Sequence, residues 1–462
     1  MIRRATHQRS IRMTARIRTV ALAAVIAAVS SLALGGVAQA VDYPAPKNPL
    51  VPSSKPKGPF RTLTVCTKGC KYTTIQRAVN ASRAGDTIRV RAGIYRERVV
   101  VKGAKKRFLK IIGDPRKPRR VVLSGLRSKP LTVPSNGIVV NGADGVLING
   151  ITAQDYGSNG IFAVNVNGYT ITNVVAKRCG VYGVYAFNSV GGSITNATAA
   201  WNSDSGFYVG QTPPQVKPKR TLIRNVTSYG NVLGYSGTNS RYVTITKSRW
   251  FNNGLGIVPN ALDSEKYAPP EDNVISDNDV YFNNWNYYAG APFQVRGAAT
   301  GVPYPIGVGI LLFGGRRTIV ENNRVYGNYL LGVGMLPQIL LNQKDAVDLI
   351  GNQIRANRYG NSGKNPNGRD IFYDGSGIDN CVDGTGASTT LPVDRGTFAS
   401  CPFTGTNTYN KAAQDEAFGW AIAMIGVDKN PALAEAAWIK GTQQPVDGLL
   451  PMEHWTTAIG AR

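Results

Sequence analysis

The sequence is almost without histidine. Of its 462 residues two are histidine, and only His454 lies beyond residue 40. Multi-histidine metal centres and serine–histidine hydrolysis are thereby close to excluded, because the one imidazole beyond residue 40 stands near the end of the sequence. Methionine is scarce as well, with five in all. Acidic residues are outnumbered, 27 Asp and Glu against 53 Lys and Arg. The first forty residues hold six arginines and no acid. Neither a helix-turn-helix pattern nor a paired Cys/His zinc spacing occurs, which argues against a nucleic-acid partner.

Residues 1–40 have three parts: a basic start, an apolar run from Val20 to Val37, and Ala38-Gln39-Ala40 at its end. That order is expected of a cleaved export signal, with no membrane span left after cleavage. Removing it leaves a net charge of +20, which suits anionic partners: an acidic polysaccharide or cell-wall glycan. Residues 41–61, rich in proline, are expected to be an extended linker. The five cysteines fit an oxidising compartment. Cys66 can close a short loop with Cys70, Cys381 can staple a glycine-rich loop to Cys401, and Cys179 is left as a buried thiol.

A period runs through the rest. Gly137, Gly160, Gly183 and Gly206 are each 23 residues apart, and the spacing of 23 returns between Gly309 and Gly332. A second series, Asn149, Asn173, Asn196, Asn225, Asn278, Asn323 and Asn352, keeps step, with short β-branched runs between. Short strands and turn residues at such a period predict a solenoid, in which coils stacked about 4.8 Å apart bury a common core. The asparagines are expected at sharp turns, bonded coil to coil, and the glycines at the turn entering the next strand.

The repeat from about 137 to 360, with the phrase Thr74-Ile-Gln-x-Ala-Val … Gly85-Asp-Thr-Ile … Ala92-Gly-x-Tyr95-x-Glu97, resembles the pectin-lyase-like superfamily. The resemblance implies an all-β, right-handed parallel β-helix over residues 62–380, an N-terminal capping helix, and a C-terminal loop and helical segment over 381–462. It implies no reaction, because that fold carries lyases, hydrolases, esterases, epimerases and binding proteins. Its copper-associated members would want Met and His, in which this chain is poor. The motifs of the pectin methylesterases and mannuronan epimerases are absent.

The register places candidates. Phe162, Tyr185 and Tyr208 share one position on three coils and are expected on the outer face of one sheet, as a sugar-stacking ladder or as a packing face under the long loops of 258–308. Asp155 and Arg178 stand on adjacent coils, with Lys177 and Asp204 nearby. Elimination from a uronate needs a cation to neutralise the carboxylate and a base for the C5 proton. Hydrolysis needs two flanking carboxylates, for which Asp155 and Asp204 would serve. The plainer reading is a surface ion pair. Glu271, Asp272, Asp277 and Asp279 offer oxygen ligands for Ca2+, or simply decorate a loop. The expectation is a secreted monomer that binds and cleaves an acidic polysaccharide, by elimination rather than hydrolysis. The alternative is a non-catalytic or structural wall-binding protein.

Overall fold

The computed structural model describes residues 53–126, 134–263, 265–287, 304–338, 349–384, 386–394 and 398–426. The export signal, the start of the linker, the Tyr288–Gly301 stretch and everything after residue 426 lie outside them.

The chain winds through three parallel sheets in strict rotation. Sheet A has 12 strands, sheet B 10 and sheet C 11. One coil is typical: Asn167–Thr172 in sheet A, Val175–Lys177 in sheet B, then Val184–Phe187 in sheet C. Each strand pairs in parallel with its equivalents one coil before and after. Alternation sends Ile161, Val184, Phe207, Tyr235 and Ile257 into one continuous core, and their neighbours outward. This is the parallel β-helix expected from the period. The pairing continues past Asn380, through Cys381–Val382 in sheet A and Thr390–Leu391 in sheet C, so stacking reaches beyond the last clear repeat of the sequence.

The N-terminal helix α1, Ile75–Ala81, buries Ile75, Ala78 and Val79, one face at helical spacing. Its start is held by the end of the same sequence phrase. The Glu97 carboxylate accepts from the amides of Ile75 (2.8 Å) and Gln76 (2.9 Å), and Thr74 accepts from that of Arg77. A second helix, α2, Lys411–Gly426, lays Ala413 and Ala417 on an apolar cluster with Leu311, Phe313, Leu336 and Phe372. Both disulfides form, Cys66–Cys70 and Cys381–Cys401, and Cys179 is a buried free thiol.

Two expectations need correction. The repeat glycines do not sit at left-handed turns. Gly137, Gly160 and Gly206 are the second residues of sheet C strands and Gly183 stands just before one; a Cβ on Gly160 would stand 2.8 Å from the carbonyl of Gly183, and one on Gly183 2.7 Å from that of Gly206. Glycine is needed there for close approach between coils. The asparagine series is not one ladder either. Asn173, Asn196 and Asn225 occupy left-handed corners between sheets A and B and bond outside the core, as in Asn173 to Asn149 at 2.9 Å. Asn278 and Asn323 follow the corner residue and point inward, with Asn278 donating to Asn323 at 2.9 Å, and Asn352 stands at a different corner and donates to Asn380.

A longer ladder, not read from the sequence, runs inside the corner between sheets B and C. Asn202, Asn231, Asn253, Asn283, Asn328 and Asn367 each donate a side-chain amide to the next, at 2.9–3.2 Å. All are buried. The preceding residues, Trp201, Gly230, Asn252, Phe282 and Gly327, are left-handed.

Candidate functional site on the outer face of sheet C

The outer face of sheet C changes character along the axis. At the N-terminal side it carries Val139, Phe162, Tyr185 and Tyr208, in the register read from the sequence. At the C-terminal side it is aliphatic and lies under α2. Between them stand Ser236, Thr238 and Asn260. Strands of six residues make this face about 17–20 Å wide.

The aromatic ladder is not open. Phe162 and Tyr208 are 7% and 5% exposed. The rings of Phe162 and Tyr185 stack on each other at 4.4 Å and 8°, so these two faces are spent on one another and not held out to a sugar. Tyr208 meets Tyr185 edge-on at 4.9 Å, and Tyr182 packs against both. Tyr182 and Tyr185 are half-buried.

Asp155, Lys177, Arg178 and Asp204 border this face at the corner between sheets B and C. Asp155 and Arg178 both hold left-handed backbone, and the guanidinium grips the carboxylate through Nε (2.6 Å) and Nη2 (3.0 Å). Gln154 adds a third bond to Asp155 at 2.7 Å. The pair is 2% and 14% exposed. Lys177 ends its sheet B strand, and its carbonyl accepts from the Asp155 amide. Asp204 is buried and accepts from the Ser205 hydroxyl at 2.7 Å. Tyr229 and Phe251 stand five residues before Gly234 and Gly256, as Asp155 does before Gly160, a spacing that predicts the same corner position. They fall one residue earlier, in sheet B strands, because the corner is one residue shorter there and Gly230 and Asn252 take the left-handed place.

The opposite corner, between sheets C and A, holds a group the sequence reading passed over. Glu265, half-buried, accepts from Asn239 Nδ2 at 3.0 Å. Burial pushes its carboxyl up to about 8, against the smaller opposing effect of that hydrogen bond. Its neighbour Lys266 donates its amide to Gln211 Oε1. Tyr208 reaches this corner: its hydroxyl bonds to Thr238 and senses Glu265, and burial holds it well above the usual phenol range. Gln211 Nε2 and Thr212 Oγ1 are buried and have no hydrogen-bond partner. Buried polar atoms are nearly always satisfied, so two without a partner among the described residues, beside a perturbed carboxyl, make this corner a candidate site. The only hint in the sequence was the long departure beginning at 258, in which Glu265 is one acid among several.

The acidic cluster suggested for Ca2+ is divided among arginines. Glu271 and Asp272 are held by Arg241 and Arg317, and Asp279 by Arg324. Among the described residues no group of three His, Cys, Asp or Glu is placed to hold a metal, and no helix is long and apolar enough to cross a membrane.

Residues 85–293, somewhat under half of the chain, match the family described as periplasmic copper-binding protein (NosD). No curated protein matches. Solved structures with the same kind of coil include the A-module of Azotobacter vinelandii mannuronan C-5 epimerase AlgE6, at 15% identity over 67% of this chain and 88% of that one, TM-score 0.44. Pectate lyase Pel9A follows at 14% identity, 77% and 84% coverage and TM-score 0.39, and carrot pectin methylesterase at 15%, 66% and 84%, TM-score 0.32. The matched segment does not suit copper. Residues 85–293 contain no histidine, no methionine and one cysteine, Cys179, whose buried thiol is pushed up to about 12. Copper selects imidazole, thioether and thiolate donors, and those are the ones missing. The chain is a parallel β-helix whose residues 85–293 are similar in sequence to the NosD family.

Proposed function

We propose that the protein is exported and acts on an acidic polysaccharide at the outer face of sheet C, with Glu265 as its reactive group. One observation carries the reading: a carboxyl raised to about 8, beside a tyrosine cluster and two orphaned buried polar atoms. A carboxylate with so high a pKa is a stronger base than an ordinary one, and it is half ionised near pH 8. In elimination the Glu265 carboxylate takes the C5 proton of a uronate, the C4–O bond breaks, and the Tyr208 hydroxyl protonates the leaving oxygen. Asp155 and Arg178 then serve to fix the neighbouring corner, since each already satisfies the other. The disulfides and the basic, signal-like N-terminus support export, and the periplasmic description of the NosD family agrees with it.

The test is a pH–rate profile on polygalacturonate. Turnover is expected to rise with pH through about 8, and Glu265→Gln to lower it by roughly 10²-fold or more. Unchanged turnover in Glu265→Gln removes the proposal. The Asp155–Arg178 pair, in which each group engages the other, favours the second reading, a glycan-binding protein without catalysis. It is distinguished by binding with no unsaturated product.

A further inference from the structure

The positive charge of the chain is not spread over the coil. Residues 61–126 hold eighteen Lys and Arg against three acids, whereas residues 127–462 hold 26 against 23. The three acids of the first segment are used inside the fold. Asp86 is 2% exposed and bound by Arg61, Glu97 caps α1, and Asp114 holds its own turn through the amides of Arg116 (3.2 Å) and Lys117 (3.0 Å). Among the described residues of this segment the ion pairs are Arg61–Asp86 and a looser Arg120–Asp114 at 3.4 Å.

Seven of the eighteen cations line one corner, where sheet A passes to sheet B. Arg89 and Arg91 stand there on one coil, and Arg116, Lys117, Arg119 and Arg120 on the next. Strand pairing stacks these two corners, Thr87 on Lys110 and Gly93 on Val121. Beneath them, on the coil of Thr62–Val65, the corner is the disulfide-closed Cys66–Cys70 loop with Lys68. All seven of these cations are exposed. On the coil above, the corner is Asn149-Gly150 and carries no charge.

We propose that this corner is a docking strip for a linear anionic polysaccharide, separate from the sheet C face. No single cation here is buried in a pocket, so a small anion gains little from any of them. A polymer with an anion on every residue gains from all of them at once, because each further contact is made at high effective concentration. The strip runs along the coil axis with a rise of about 4.8 Å per coil, the direction and the order of spacing of an extended chain. It would hold the protein on its polymer whatever happens at Glu265, and it stands if Glu265 proves inert.

The experiment compares two fourfold variants of the whole protein for binding to polygalacturonate at physiological ionic strength. One is Arg116→Gln, Lys117→Gln, Arg119→Gln and Arg120→Gln. The other removes the same charge at exposed sites on distant coils: Arg224→Gln, Lys247→Gln, Arg249→Gln and Arg358→Gln. Thermal unfolding checks that both fold, and the contacts of Asp114 to backbone amides survive in the first. The expected result is at least a tenfold weaker Kd in the first variant, with a shallower salt dependence, and a change within twofold in the second. Equal losses in both, or a loss in neither, overturn the strip. So does tighter binding to phosphatidylserine vesicles than to polygalacturonate, abolished by the first variant, which would make the partner a membrane.

Discussion

At the scale of single residues, the candidate site turns on what burial does to two carboxyls. Asp155 is buried with its charge compensated by Arg178, whereas Glu265 is buried against a neutral amide and is raised to about 8. The consequences for stability differ in sign. Because the folded pKa of Glu265 lies above the unfolded one, the folded state binds the extra proton between about pH 4.5 and 8. Stability from this group is therefore full below that window and lost as pH rises through it. Glu265→Gln should raise the melting temperature at pH 9 by roughly 2 °C or more and leave it unchanged at pH 4. Equal shifts at both pH values would contradict the assignment. Asp155→Ala removes the two-pronged partner of a mostly buried guanidinium, and should cost about 3 kcal/mol in denaturant unfolding. Under the Glu265 account that variant retains turnover at temperatures where it is folded; a catalytic Arg178–Asp155 pair would lose both together. The sequence made the Asp155–Arg178 step legible, because a constant period puts residues 23 apart side by side. It could not reveal Glu265, which lies in an insertion where the period has no authority and whose pKa depends on what closes over it.

At the scale of the element, the corners carry the specificity of the coil. The ladder from Asn202 to Asn367 satisfies buried amides that no strand can reach, and each rung both donates and accepts. Asn253→Ala would leave the Asn231 backbone amide without its acceptor and remove the side-chain donor to Asn283 Oδ1, which keeps the backbone amide of residue 253. A loss of about 1–3 kcal/mol is expected, measured by urea unfolding, since one stranded buried group costs about that much. A loss under 1 kcal/mol would mean the rungs are replaceable. Sheet B has its own device: Tyr229, Phe251, Tyr281 and Tyr326 stack face to face, the three neighbouring pairs of rings at 5.0–5.6 Å. The sequence yielded the strands and the existence of an asparagine ladder. It did not yield which corner each asparagine occupies, because corners differ by one residue and a shift of one turns a side chain from outside to inside. Phe162, Tyr185 and Tyr208 show the same limit: their shared register was readable, their mutual coverage was not.

At the scale of the whole molecule, the protein is a rod with dissimilar ends. The N-terminal coils are capped by α1 and strongly basic; the C-terminal half of sheet C is apolar and lies under α2. A solenoid end is a bare sheet edge unless covered, and α1 is held by Glu97 through two amides. Glu97→Ala should therefore open the first coils locally: hydrogen exchange at Val65, Ile88 and Val90 is expected to speed up by about tenfold or more while the central coils stay protected, and uniform acceleration would contradict a separate cap. Under the proposed function a reactive face would stand midway along the coil and a charged strip at one end, an arrangement suited to working on a long anionic chain. The most direct test is to incubate the protein and its Glu265→Gln variant with polygalacturonate, alginate and glycosaminoglycans and to follow the ultraviolet absorbance of unsaturated uronate. The account predicts product from at least one of these with the native protein, increasing through about pH 8, and none with the variant. No product from any of them, or equal product from both proteins, would contradict it.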